Sequence, residues 1–163
     1  MTTADDRPQA PSGNLRRRMK SAARLYAVQA LFQMEHSQQS SQAVRAEFLA
    51  YRFGEERDGV EMLDGDTELF GKILDDAVNW QGRIDKMTDR ALVAKWPIDR
   101  IDPTLRALFR AAGAELVNSD TPPRVVISEY VDVARAFFPE GKEGDFVNAI
   151  LDHMARAAKP EAF

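Results

Sequence analysis

Apolar residues in this chain recur every three or four positions and almost never alternate, a spacing that buries one face of an α-helix and cannot line one face of a strand. Leu25, Val28, Leu31 and Phe32 make such a stripe over roughly residues 16–37, and Val44, Phe48 and Tyr51 make a shorter one. Leu69, Phe70, Ile73, Leu74, Ala77, Val78, Ile84 and Met87 predict one long third helix, with Asp66 or Thr67 to cap it and a kink near Gly82. Trp96-Pro97 breaks the next short stretch, because proline disfavours helix in the residue before it. Asp102-Pro103 reads as N-cap plus first helical residue, opening a helix through Leu105, Leu108, Phe109, Ala112 and Leu116. Val125-Val126-Ile127 alone reads as a strand, but the spacing Val126, Tyr130, Val133/Ala134, Phe137 favours a helix. Asp145 is placed to cap a last helix holding Val147, Ile150, Leu151 and Met154. With no strand pairs and no repeats, the expected class is all-α, a compact bundle of about seven helices.

A chain of 163 residues suits one domain and can bury a core without staples. It has no cysteine, which excludes disulfides, thiolate zinc sites and thiol catalysis, and fits a reducing compartment. The polar, proline-containing start is no secretory signal, and no apolar run is long enough to span a membrane, so a cytoplasmic protein is expected. Residues 1–14 read as a disordered arm, 15–158 as a single helical domain and 159–163 as a flexible tail.

The net charge is −4, so any affinity for nucleic acid must come from a local patch. One exists. Between Leu15 and Met34 the charged residues are Arg16, Arg17, Arg18, Lys20 and Arg24, with no acid among them, whereas residues 55–68 carry seven acids against the single Arg57. On a helix Arg17, Lys20 and Arg24 fall on one side, a cationic row suited to phosphates; the plainer reading is a solvated helix face. Single-stranded RNA also needs aromatic surfaces on which bases stack. Phe32 and Phe146 are candidates, though the plainer reading of each is core packing, and Trp80 and Trp96 read as core or edge packing. Phe146 would sit in the first turn of the last helix, beside Lys142 of the preceding loop and the N–H groups that attract a phosphate.

Catalytic chemistry is not legible. His36 and His153 have no partner at ligand spacing and read as surface residues at helix ends, and no phosphate-binding glycine loop or nucleophile elbow occurs. Asp75-Asp76 points along two helix directions and is no carboxylate dyad. The reading is a non-enzyme with neither metal nor organic cofactor.

Four pieces of sequence together resemble the NusB family of bacterial transcription antitermination factors. They are Arg16-Arg17-Arg18 with Arg24 and AVQALF at 27–32; RIDKMTDRAL at 83–92 with Trp96 and IDPTLRALFRAAGAEL at 101–116; TPPRVVISEYVDVARAF at 121–137; and FVNAILD at 146–152. They span most of residues 16–155. The resemblance implies two small helical bundles sharing one core, binding to the boxA RNA of ribosomal-operon leaders, a heterodimer with the ribosomal protein NusE, and a place in the RNA polymerase antitermination complex. It implies RNA contacts for the arginine-rich segment, here Arg16, Arg17, Arg18, Lys20 and Arg24. The family's usual tyrosine after the alanine-leucine pair is Phe32 here, which loses any hydroxyl contact. Its Phe-Val-Asn falls on Phe146, Val147 and Asn148, followed by Ala149 in place of the usual glycine. The acidic insert and the proline-rich arm match poorly. A homodimer through the partner-binding surface stays open. So do two other functions: the RNA-targeting module of a ribosomal RNA methyltransferase, which this cysteine-free chain would represent only as a fragment, and a purely structural interaction module.

Overall fold

Helix-start chemistry is met where short polar side chains precede apolar stripes. In the computed structural model, which describes residues 12–54, 56–57, 60–61, 64–95 and 101–163, the Ser12 hydroxyl accepts from Leu15 N–H and opens α1, Gly13–Ser37. Helix α1 ends at Gln38, whose φ of 56° places it in the left-handed region. The Ser40 hydroxyl opens α2, Ser41–Glu47, which widens into a π-helical turn at Phe48–Arg52. Asp66 opens α3, Thr67–Asn79, by accepting from Leu69 N–H at 3.0 Å. Helix α4, Gln81–Lys95, follows directly. Asp102 and Pro103 open α5, Pro103–Asn118, as the sequence predicts, with Thr104 N–H donating to the Asp102 carboxylate at 2.7 Å. The ambiguous segment is helix α6, Pro123–Phe137, and α7 spans Glu143–Ala158 before one 3-10 turn, Pro160–Ala162. Glu56–Arg57 and Val60–Glu61 pair antiparallel as β1 and β2, a ladder too short to alter the all-α class.

The helices form two groups on one core. Helices α1, α2 and α3 pack together around an aromatic cluster in which Phe53 stacks on Tyr26 at 4.5 Å and meets Phe70 edge-on at 5.0 Å. Helices α4 to α7 form the second group, and α5 belongs to both, packing against α1, α3, α4, α6 and α7. Its sequence explains that position. Residues 107–109 and 111–116 are all buried, so α5 is apolar nearly all round. Its small residues admit close neighbours: a Cβ at Gly113 would overlap the Ile84 side chain of α4.

Four expectations need correction. Tyr51 is 76% exposed rather than core, because the π turn advances the helix phase and brings Phe53 inward in its place. The long third helix is two helices, broken at Trp80 rather than kinked at Gly82; the break lets α3 pack on α1 while α4 turns to α7, which one straight rod could not do. Helix α7 begins two residues before Asp145, so Asp145 lies in the first turn, where with Glu143 it complements the helix dipole, and does not cap. His153 is half-buried within α7, its Nδ1 buried without a partner among the described residues, whereas His36 is exposed at the end of α1 as read. Of the arm read as disordered over residues 1–14, Gly13 and Asn14 belong to α1, whereas residues 1–11, positions 55, 58, 59, 62 and 63 of the acidic insert and the Trp96-Pro97 break lie outside the described residues.

Candidate nucleic-acid interface

The first two turns of α1 split their residues by face. Ala23 is buried in the core, Met19 is half-buried in the cleft that Arg16 also lines, and the Met19 carbonyl accepts from Asp66 N–H at 3.0 Å, which pins this end of the helix to the loop before α3. Arg16, Arg17, Arg18 and Lys20 are all exposed, and none has an ion-pair partner among the described residues. Arg16 shares a cleft with Asp64, Asp66 and Glu68, so part of its field is spent on acids; Arg17, Arg18 and Lys20 do not line that cleft. Four unneutralised cations within about 6 Å of helix rise repel one another and gain most from an anionic ligand.

Arg24 does not belong to this row. It is 4% exposed, and its guanidinium forks onto Glu115 of α5, with Nε to Oε2 at 2.9 Å and Nη2 to Oε1 at 3.0 Å. Its Nη1 lies 3.4 Å from Glu129 of α6, and the Tyr130 hydroxyl donates to Glu115 at 2.6 Å. Burial alone lowers the Arg24 pKa, but the Glu115 hydrogen bond and charge outweigh it and the net shift is upward, so the guanidinium stays charged. Burial, reinforced by the Glu115 carboxylate, pushes the Tyr130 phenol well above its ordinary value. Arg24 therefore fixes α1 to α5 and α6 and holds the exposed row in place; it is a positioning residue with no face left for RNA. Ser21, one turn nearer the row, adds a bond to Glu129 at 2.9 Å.

The other candidates lie in separate places. Phe32 is half-buried late on α1, about 18 Å from Lys20 by helix rise, and stacks on His36 at 4.1 Å. It belongs to the end of α1 where Glu35 and Asp85 both hold Arg110, Glu35 at 2.9 Å and Asp85 at 3.2 Å. Burial lowers the Arg110 pKa and these carboxylates more than restore it. Lys142 is exposed at the cap position of α7, and Phe146 is half-buried one turn on, its ring edge-to-face with Phe109 at 6.0 Å. Asn148 is exposed but sits across α7 from Phe146, in a cleft with Arg124, Ser128 and Arg135 of α6. Asp76, unlike Asp75, is buried against Lys72 and Asn118, so the two acids diverge as read.

Sequence reasoning missed Glu115, Glu129 and Tyr130. The signal was present: Glu115 is the one acid inside the apolar run of α5, and a buried acid demands a cation. It also passed over Arg83, Lys86 and Arg90 of α4, which line a cleft with Met87 and Ala157.

Comparison with known proteins bears on the family and the fold. Residues 21–156 match the model of the NusB family. The transcription antitermination protein NusB of Maricaulis maris is 44% identical over 156 residues, covering 95% of this chain and 96% of that one. The protein of the same name from Granulibacter bethesdensis is 46% identical over 92% of this chain and 95% of its own. Among solved structures, NusB of T. maritima superposes with a TM-score of 0.67 at 26% identity over 88% of this chain and 96% of that one. The antitermination factors NusB and NusE in complex with dsRNA match at 0.65 and 25%, over 86% and 98%. With the family's model matched along both helical groups and two relatives similar over nearly their full length, the chain belongs to the NusB family of transcription antitermination proteins.

Proposed function

We propose that this protein is a non-catalytic RNA-binding antitermination factor that takes a boxA-like segment of ribosomal-operon leader RNA together with the ribosomal protein NusE. The observation that carries the reading is the exposed row Arg16, Arg17, Arg18 and Lys20, unpaired among the described residues and held rigid by the buried Arg24–Glu115 fork. Rigidity matters because a pre-ordered cation row loses little entropy when phosphates dock. Phe146 and Lys142 at the start of α7 supply a ring edge and a charge for a base and its phosphate. A related solved structure, the antitermination factors NusB and NusE in complex with dsRNA, supports both an RNA ligand and this partner.

The test is binding of a short boxA-like RNA across a salt series, with and without NusE. Four phosphates engaged give a slope of log K against log salt of roughly −3. NusE should raise RNA affinity, and by linkage RNA must tighten the protein pair by the same factor. A flat salt response, or equal affinity with and without NusE, overturns the reading.

A further inference from the structure

Helix α4 carries charge on both of its flanks, and the two flanks have opposite fates. Asp85 and Asp89 lie on the side toward α5, where Arg110 and Arg106 neutralise them. Arg83, Lys86 and Arg90 lie on the other side, at spacings of three, four and seven. All three are exposed, none has an ion-pair partner among the described residues, and together they line one cleft with Ala157 near the end of α7. The cleft is open at its start, since nothing lies within 4 Å of the position a Gly82 Cβ would take. At that same end stands Trp80, 38% exposed, with the Arg83 guanidinium 6.0 Å over its ring.

Three cations on about 10 Å of helix destabilise one another in the free protein. A chain with net charge −4 does not need them for solubility. A flat exposed ring beside a cation strip is the surface that single-stranded nucleic acid uses, phosphates on the charges and a base on the ring. The strip is also within reach of the start of α7. Phe146 and Ala157 are eleven residues apart, three turns of helix, so they lie on nearly the same face about 16 Å apart.

We propose that Trp80, Arg83, Lys86 and Arg90 form a second contact surface for single-stranded RNA, holding the strand beyond the segment bound at α1. This rests on the RNA-binding reading above and extends the footprint along α7 to α4.

The experiment compares two probes, a short single-stranded RNA of about 8 nucleotides and the same RNA with a single-stranded extension at either end. Wild type should bind one extended form at least tenfold more tightly than the short one. The triple variant Arg83→Gln, Lys86→Gln, Arg90→Gln changes only exposed charges, and circular dichroism checks its fold. It should lose that gain, reduce the salt slope for the extended RNA by about 2, and leave the short RNA unchanged. The variant Arg17→Gln, Lys20→Gln should weaken both probes. Extended RNA binding the triple variant as tightly as wild type overturns the second surface while leaving the first intact. The same gain from an extension annealed to its complement overturns the single-strand assignment. Wild type binding neither probe overturns the RNA-binding reading itself.

Discussion

Tyr130 donates its phenolic hydrogen to Glu115 Oε2 at 2.6 Å, the oxygen that also accepts from Arg24 Nε. One buried carboxylate thus ties α1, α5 and α6 at a single point, held on α1 by Arg24 one turn along the helix from Lys20. Taking away Arg24 or Glu115 leaves the other charge buried without its partner.

Arg24→Ala should therefore act on folding first. Breaking one side of a buried ion pair costs about 3–5 kcal/mol, and denaturant unfolding should show a loss of that order. Removing both charges with Arg24→Met and Glu115→Leu should recover part of it. A loss of RNA affinity at unchanged stability would contradict the positioning role.

The raised Tyr130 pKa makes a pH prediction. Because the folded value lies above the unfolded one, the fold holds this proton more tightly than the unfolded chain does. That stabilisation is complete below about pH 10, the ordinary tyrosine value, and fades as the pH climbs toward and through the folded value. Tyr130→Phe lacks it, so the stability difference between wild type and this variant should shrink above about pH 10. Unfolding of both proteins across alkaline pH measures it; a constant difference would refute the linkage.

Periodicity made most of this fold legible, because helices that bury one face must repeat at their own pitch. Asp102-Pro103 and the stripe through Val147, Ile150, Leu151 and Met154 are examples. What it could not show is phase and bend. The π turn that exposes Tyr51 and the break at Trp80 are settled by packing between helices distant in sequence. The same limit applies at the site. Arg24 looks like its neighbours in a basic run, and its inward turn depends on Glu115, ninety-one residues away.

Gly113 tests the close approach of α4 and α5. Alanine is the better helix former by about 1 kcal/mol, yet its methyl would overlap Ile84, which is itself fully buried and hemmed in. Overpacking of this kind costs about 1–3 kcal/mol, so Gly113→Ala should lower the melting temperature. Ile84→Ala, which removes the Cγ2 that the methyl would overlap, should cost less stability in the Gly113→Ala background than in the wild type. A more stable Gly113→Ala would mean that the helices can part freely.

Phe146 weighs packing against binding. Its ring is half-buried and meets the wholly buried Phe109 edge-on, so one side is committed to the core. A fully buried phenylalanine cut to alanine costs about 3–5 kcal/mol, and a half-buried one should cost less. The exposed part stands at the start of α7, where Lys142 is exposed and the first N–H groups attract phosphate. If a base stacks there, Phe146→Ala should also weaken RNA binding by about 1–3 kcal/mol. Phe146→Leu separates the two roles, because it keeps much of the contact with Phe109 and removes the flat face. Its stability should stay near that of wild type while RNA affinity falls nearly as far as in Phe146→Ala. Thermal unfolding and RNA titration of both variants decide the matter. Full RNA affinity in Phe146→Leu would reduce Phe146 to packing alone and leave the first surface, as proposed, to the cations of α1 and Lys142.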